Sequence, residues 1–134
     1  MNAPLIVAGL LALLTAAIHG TAGEVLLFRR LQPSVLPSSR FGDSAMTKTL
    51  IRITWHIVTV TFLTFGVALL LSGSVLDGDA ARAVGVVVAA SYTAFWAVGI
   101  GIAAASTRSA RFALVHPAPL LFSLILALAW WGAL

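Results

Sequence analysis

The 134-residue chain contains no cysteine, which excludes disulfides, iron–sulfur ligation and thiol catalysis together. Charge is nearly as scarce. Only 9% of the residues are Asp, Glu, Lys or Arg, whereas a soluble domain carries roughly 25%. Eight basic and four acidic side chains cannot coat a water-solvated globule of this size. What fills the chain is hydrophobic: 60% of the residues, with a mean hydropathy of +1.06. Lipid is therefore the main solvent expected around it. The formal net charge of +4 does not indicate nucleic acid, because the basic residues cluster in a way that membrane topology explains. Arg provides seven of the eight and Ala is abundant, a composition that fits a bacterium with a GC-rich genome.

A bilayer core about 30 Å thick requires about 20 apolar residues in helical form. Four stretches qualify: about 4–28, 51–71, 80–105 and 112–134. The Thr21-Ala22-Gly23 triplet has the look of a signal-peptide cleavage site. However, a signal peptide opens with positive charge, and residues 1–18 carry no Lys or Arg, so the first stretch is read as a span. The single connection of any length, residues 29–50, holds Pro33 and Pro37 among serines and reads as irregular. Asp43 or Ser44 then caps a helix that runs through Met46 and Lys48 into the second span. One membrane domain, all-α, accounts for the whole chain.

Loop charge orients the spans. Arg29, Arg30, Arg40, Lys48 and Arg52 lie between or at the mouths of spans one and two, and Arg108 and Arg111 between spans three and four. Arg82 alone falls at the other end, beside Asp77 and Asp79. The positive-inside rule makes the Arg-rich side cytoplasmic. The expectation is an up-down-up-down four-helix bundle in a bacterial inner membrane, with both termini outside the cytoplasm and Trp130 and Trp131 anchoring the outer interface.

Small and polar residues of lipid-embedded helices face other helices, and projection at about 100° per residue collects them on one side of each span. Ala8, Ala12, Thr15, Ala16, His19 and Gly23 share a face of span one, opposite Leu10, Leu14, Ile18 and Val25. Arg52, Trp55, His56 and Thr59 form a stripe on span two, while Thr54, Thr61 and Thr64 lie elsewhere, with hydroxyls placed to bond the preceding turn. Gly85, Ala89, Tyr92, Trp96, Gly99, Ala103 and Ser106 align on span three. Phe112, His116, Ser123, Ala127 and Trp130 align on span four.

Packing explains the Gly and Ala of these faces but not the ionisable residues. A charged side chain at the centre of a membrane helix costs about 2.5–3.5 kcal/mol even on permissive insertion scales, so it normally has a partner or a task. At 1.5 Å per residue, Glu24, His56 and His116 each lie roughly 6–7 Å inside the cytoplasmic end of their spans, with His19 deeper. Arg52, one turn before His56, is placed to offset Glu24. Three readings follow. In the first, the set is structural: Glu24 pairs with Arg52, the histidines bond to neighbours, and the chain is a non-catalytic accessory subunit of a larger membrane complex. In the second, His19, Glu24, His56 and His116 bind a metal ion, or two of the histidines bind haem, or a small polar-headed ligand sits there with Arg52, Tyr92 and Trp96 around it. No two of the four candidate ligands His19, Glu24, His56 and His116 have the i, i+3 or i, i+4 spacing of helical metal motifs. In the third, the chain is a small proton-coupled transporter that works as a homo-oligomer. No nucleophile motif is visible and Glu24 is the only intramembrane carboxylate, so nothing in the chain points to catalysis.

With His19, Glu24 and Trp55-His56-Ile57-Val58-Thr59 in view, the chain resembles a group of small bacterial four-span membrane proteins. Its members carry a His near the end of the first helix and a Trp-His-x-x-Thr pattern opening the second. The resemblance covers the first two spans and implies the four-span fold. It singles out His19 and His56 and implies no particular activity.

Overall fold

The computed structural model describes residues 1–38, 40–107 and 117–134, and all of its regular structure is helical. Helix α1 spans Ala3–Ala22. Asn2 caps it, its Oδ1 accepting from the Leu5 amide at 3.3 Å, and Pro4 occupies the first turn, where a missing N–H leaves no bond unmade. From Gly23 to Phe28 the same helix continues as a π-helix, with the Arg29 amide reaching back five residues to the Glu24 carbonyl at 3.1 Å. A 3-10 turn at Pro33–Val35 follows. Helix α2 runs Ser44–Ser74, capped by Asp43, whose Oδ1 accepts from the Met46 amide at 2.9 Å. Its uninterrupted run through Lys48 into the second span is as the sequence implied. Gly78, at φ +56°, makes the tight turn into α3, Gly78–Thr107. Helix α4 is Pro117–Ala133.

Three helical segments are long and apolar enough to cross a membrane: Ala3–Phe28, Ser44–Ser74 and Gly78–Ser106. The apolar stretch Ala118–Ala133 is shorter. The remainder of the fourth expected span, 112–116, lies outside the described residues.

Helix α1 packs against α2 and α4, and α3 packs against α4 and α2. Asn2 ties one end together: its backbone N–H donates to the Gly73 carbonyl at 2.7 Å and its Nδ2 to the Gly132 carbonyl at 2.6 Å. The start of α1 thus meets the ends of α2 and α4. At the other end, Glu24 meets Arg52, so α1 and α2 are antiparallel. They approach closely where two glycines face each other. A Cβ on Gly9 would lie 2.8 Å from the Gly66 carbonyl oxygen, and one on Gly66 would lie 2.7 Å from Leu13. Small side chains dominate the core, with Ala8, Ala12, Ala16, Ala89 and Ala129 around Leu5, Phe62, Leu69, Tyr92 and Ile125. Association by close backbone approach is what helices use when lipid offers no hydrophobic drive between them.

The face expected to look inward on α1 does so, and Leu10, Leu14, Ile18 and Val25 are 46–55% exposed. Thr54, Thr61 and Thr64 each bond the carbonyl four residues back, as expected. On α3 the face holds for Gly85, Ala89 and Tyr92 only; beyond Thr93 the helix is mostly exposed, and a Cβ on Gly99 would meet nothing within 4 Å. On α4 the expected face is misplaced. Ile125, Ala129 and Ala133 are buried, whereas Ala127 is exposed. Ser123 was a poor guide because its hydroxyl bonds the Pro119 carbonyl of its own helix at 2.8 Å and needs no neighbour. Trp130 is half-buried and donates to Thr93 Oγ1 at 3.0 Å. Trp131 is 74% exposed.

Candidate functional site

The polar residues of α1 and α2 meet at the end of the molecule where α1 becomes a π-helix. Gly23 makes the meeting possible, because the Trp55 indole lies where a Cβ would stand. Seated there, Trp55 stacks on the His19 imidazole, with centroids 4.1 Å apart and planes inclined by 7°. Its Nε1 donates to the His19 carbonyl at 2.9 Å. Four residues on, Thr59 donates its hydroxyl to the Trp55 carbonyl at 3.2 Å and accepts from His19 Nδ1 at 2.9 Å. When the hydroxyl is given to the carbonyl, the imidazole donates to it from Nδ1. With Nδ1 as the donor, neutral His19 carries its lone pair on Nε2, which has no hydrogen-bond partner among the described residues.

Glu24 sits one turn further along, at the second residue of the π-helical stretch. Arg52 holds its carboxylate with both arms of a fork, Nε to Oε1 at 2.6 Å and Nη2 to Oε2 at 2.9 Å. This bidentate geometry is the strongest a carboxylate makes with a side chain. His56 Nε2 donates to the same Oε1 at 2.7 Å. A carboxylate only accepts, so the proton of this bond sits on His56 Nε2. Phe28, 3% exposed, closes over both α2 rings, 5.9 Å from Trp55 and 6.3 Å from His56.

Of the residues singled out from sequence, the structure brings His19, Glu24, Arg52 and His56 to one end of the α1–α2 pair. They form two linked but separate units, Glu24–Arg52–His56 and His19–Trp55–Thr59. Among the described residues, no three His, Asp or Glu side chains converge as a metal would require. His116 lies outside the described residues. Tyr92 belongs to the core, fully buried against Phe62, Phe65 and Phe122. Its hydroxyl has no partner among the described residues.

Trp96 is placed differently. It lines a cavity of about 590 Å³ together with His19, Trp55, Phe95, Gly99 and Phe122, between the His19 end of α1–α2 and the facing halves of α3 and α4. The cavity was not legible in the sequence. Gly99 and Ala103 read there as packing residues, whereas they line the cavity. Phe95, Pro119 and Phe122 carried no polar signal at all.

No protein-family model, curated protein or solved structure matches the chain.

Proposed function

We propose that this chain is a multi-pass protein of a bacterial inner membrane, an up-down-up-down four-helix bundle with both termini outside the cytoplasm, and that it binds a small polar-headed ligand between its helices. The observation that carries the reading is the cavity beside His19. Its volume, about 590 Å³, lies within the range of roughly 300–1,000 Å³ usual for small-molecule sites. Its described wall is mostly aromatic and aliphatic, with His19 and Ser106 contributing polar side chains. A ligand of this kind places a hydroxyl or N–H on His19 and its apolar body against Phe95, Trp96 and Phe122. Stacking on Trp55 and the bond to Thr59 hold the imidazole in place before any ligand arrives, which lowers the entropy lost on binding.

A metal ion fits these residues less well. The Glu24 carboxylate is already occupied by Arg52 and His56, so a cation there would have to displace a guanidinium or lie beside it. Glu24–Arg52–His56 reads instead as the clamp that fixes α1 to α2 beneath the cavity.

The test is purification in mild detergent, followed by mass spectrometry of an organic extract, elemental analysis and a visible spectrum. A small organic molecule should be retained at close to one per chain, and reduced at least about tenfold in His19→Leu and in Gly99→Phe, which fills the cavity. A stoichiometric metal or haem lost on His56→Ala overturns the reading in favour of a metal site. A ligand-free chain that co-purifies with stoichiometric partners overturns it in favour of an accessory subunit. Proton flux into liposomes that disappears in Glu24→Gln overturns it in favour of transport.

A further inference from the structure

A second groove of about 760 Å³ runs along the outside of α2. The α2 residues that line it fall on two neighbouring i, i+4 rows, one through Lys48, Arg52 and His56 and the other through Ile53, Ile57 and Phe65. Such rows are the natural ridges of an α-helix and slant across its axis. From Lys48 to Phe65 they cover about 25 Å at 1.5 Å per residue, more than half the thickness of a bilayer core. Chemistry changes steadily along them. The first two turns present Lys48 and Arg52; beyond His56, whose Nε2 is spent on Glu24, the groove is lined mainly by the apolar Ile57, Val60 and Phe65. The two hydroxyls on this stretch, Thr61 and Thr64, are spent on carbonyls of their own helix at 2.9 and 3.0 Å, so the deep part offers no free donor.

We propose that this groove is a site for one anionic phospholipid, its phosphate on Lys48 and the free arm of Arg52 and an acyl chain along Ile57 to Phe65. Charge complementarity picks out the occupant. Lys48 has no ion-pair partner among the described residues, and Arg52 spends Nε and Nη2 on Glu24 but leaves Nη1 unused. Arg29, Arg30 and Arg40 add positive charge at the same end of the chain. The opposing carboxylates there are Glu24, taken by Arg52 and His56, and Asp43, turned to the α2 N-terminus. A zwitterionic lipid would bring its own cation against this surplus, and a soluble anion would leave the apolar length of the groove empty.

The inference rests on the membrane reading, and the experiment separates the two. Alkaline carbonate extraction first establishes whether the chain is integral to the membrane. Protein in detergent is then offered equal amounts of phosphatidylglycerol and phosphatidylcholine with matched chains, and the bound lipid is counted by native mass spectrometry. Phosphatidylglycerol should predominate. Its preference should fall about fivefold in Lys48→Gln, the equivalent of about 1 kcal/mol per cation at an anionic lipid, and be retained in Lys48→Arg. Dihexanoyl phosphatidylglycerol should bind more weakly than the long-chain form. Equal occupancy by the two lipids, a preference indifferent to Lys48→Gln, or displacement by millimolar inorganic phosphate in a chain that resists carbonate overturns the lipid site and leaves the membrane reading standing. Release by carbonate overturns both.

Discussion

Gly23 is the residue on which the candidate site turns. Trp55 occupies the space of its missing side chain, and the indole in turn stacks on His19 and bonds the His19 carbonyl. Any larger residue pushes the indole away and loosens both α2 bonds to His19. Overpacking of this kind costs about 1–3 kcal/mol. We expect Gly23→Val to lower the midpoint of thermal unfolding in detergent and to lower occupancy of the cavity beside His19, while Gly101→Val, at a position where an added Cβ meets nothing within 4 Å, changes neither. An unchanged midpoint in Gly23→Val would show that Trp55 does not sit there. That His19, Glu24 and His56 would have polar partners was legible in the sequence, since ionisable groups in apolar helices demand an explanation. Their division into two units was not. It depends on which atom of α2 reaches which atom of α1, and a helical wheel resolves faces rather than atoms.

Elements are governed by signals of different strength. Asp43 stands where the irregular loop gives way to helix, and its carboxylate caps α2 as a short polar residue at that position should. Replacing it with Ala leaves the Met46 amide unbonded, at a cost of about 1 kcal/mol. Asp43→Ala is expected to fray the first turns of α2, visible as faster amide exchange at residues 45–48 with the remainder of α2 unchanged. Equal exchange rates in the two proteins would mean that the cap contributes nothing. The π-helical stretch of α1 carries no comparable signal: Gly23–Phe28 reads as ordinary apolar helix, and its wider turn coincides with the contacts of Gly23 with Trp55 and of Glu24 with Arg52. Helix α4 illustrates the converse, a polar residue that misleads because it is satisfied within its own turn.

For the whole molecule, the proposed orientation rests on the placement of basic residues and is open to direct measurement. The chain has no cysteine, so any single cysteine reports without background. In spheroplasts, a membrane-impermeant maleimide should label Leu134→Cys freely and Ser38→Cys only after permeabilisation. The reverse pattern would invert the topology and put the Lys48 end of the α2 groove in the outer leaflet.

Composition and hydrophobic run length determined by themselves that this chain is helical, with stretches long and apolar enough to cross a membrane, because too few charges are present to satisfy water and a backbone in lipid must bond within its own helix. Periodicity also determined the inward face of α1 and the polar stripe of α2, since small and polar residues are sparse enough there to mark a side. The pairing of Glu24 with Arg52 was already expected from the sequence; tertiary structure alone decided its forked geometry, the addition of His56 to it and the cavity that His19 borders. A cavity is made by side chains that fail to meet, and no local pattern in a sequence records a contact that is not formed.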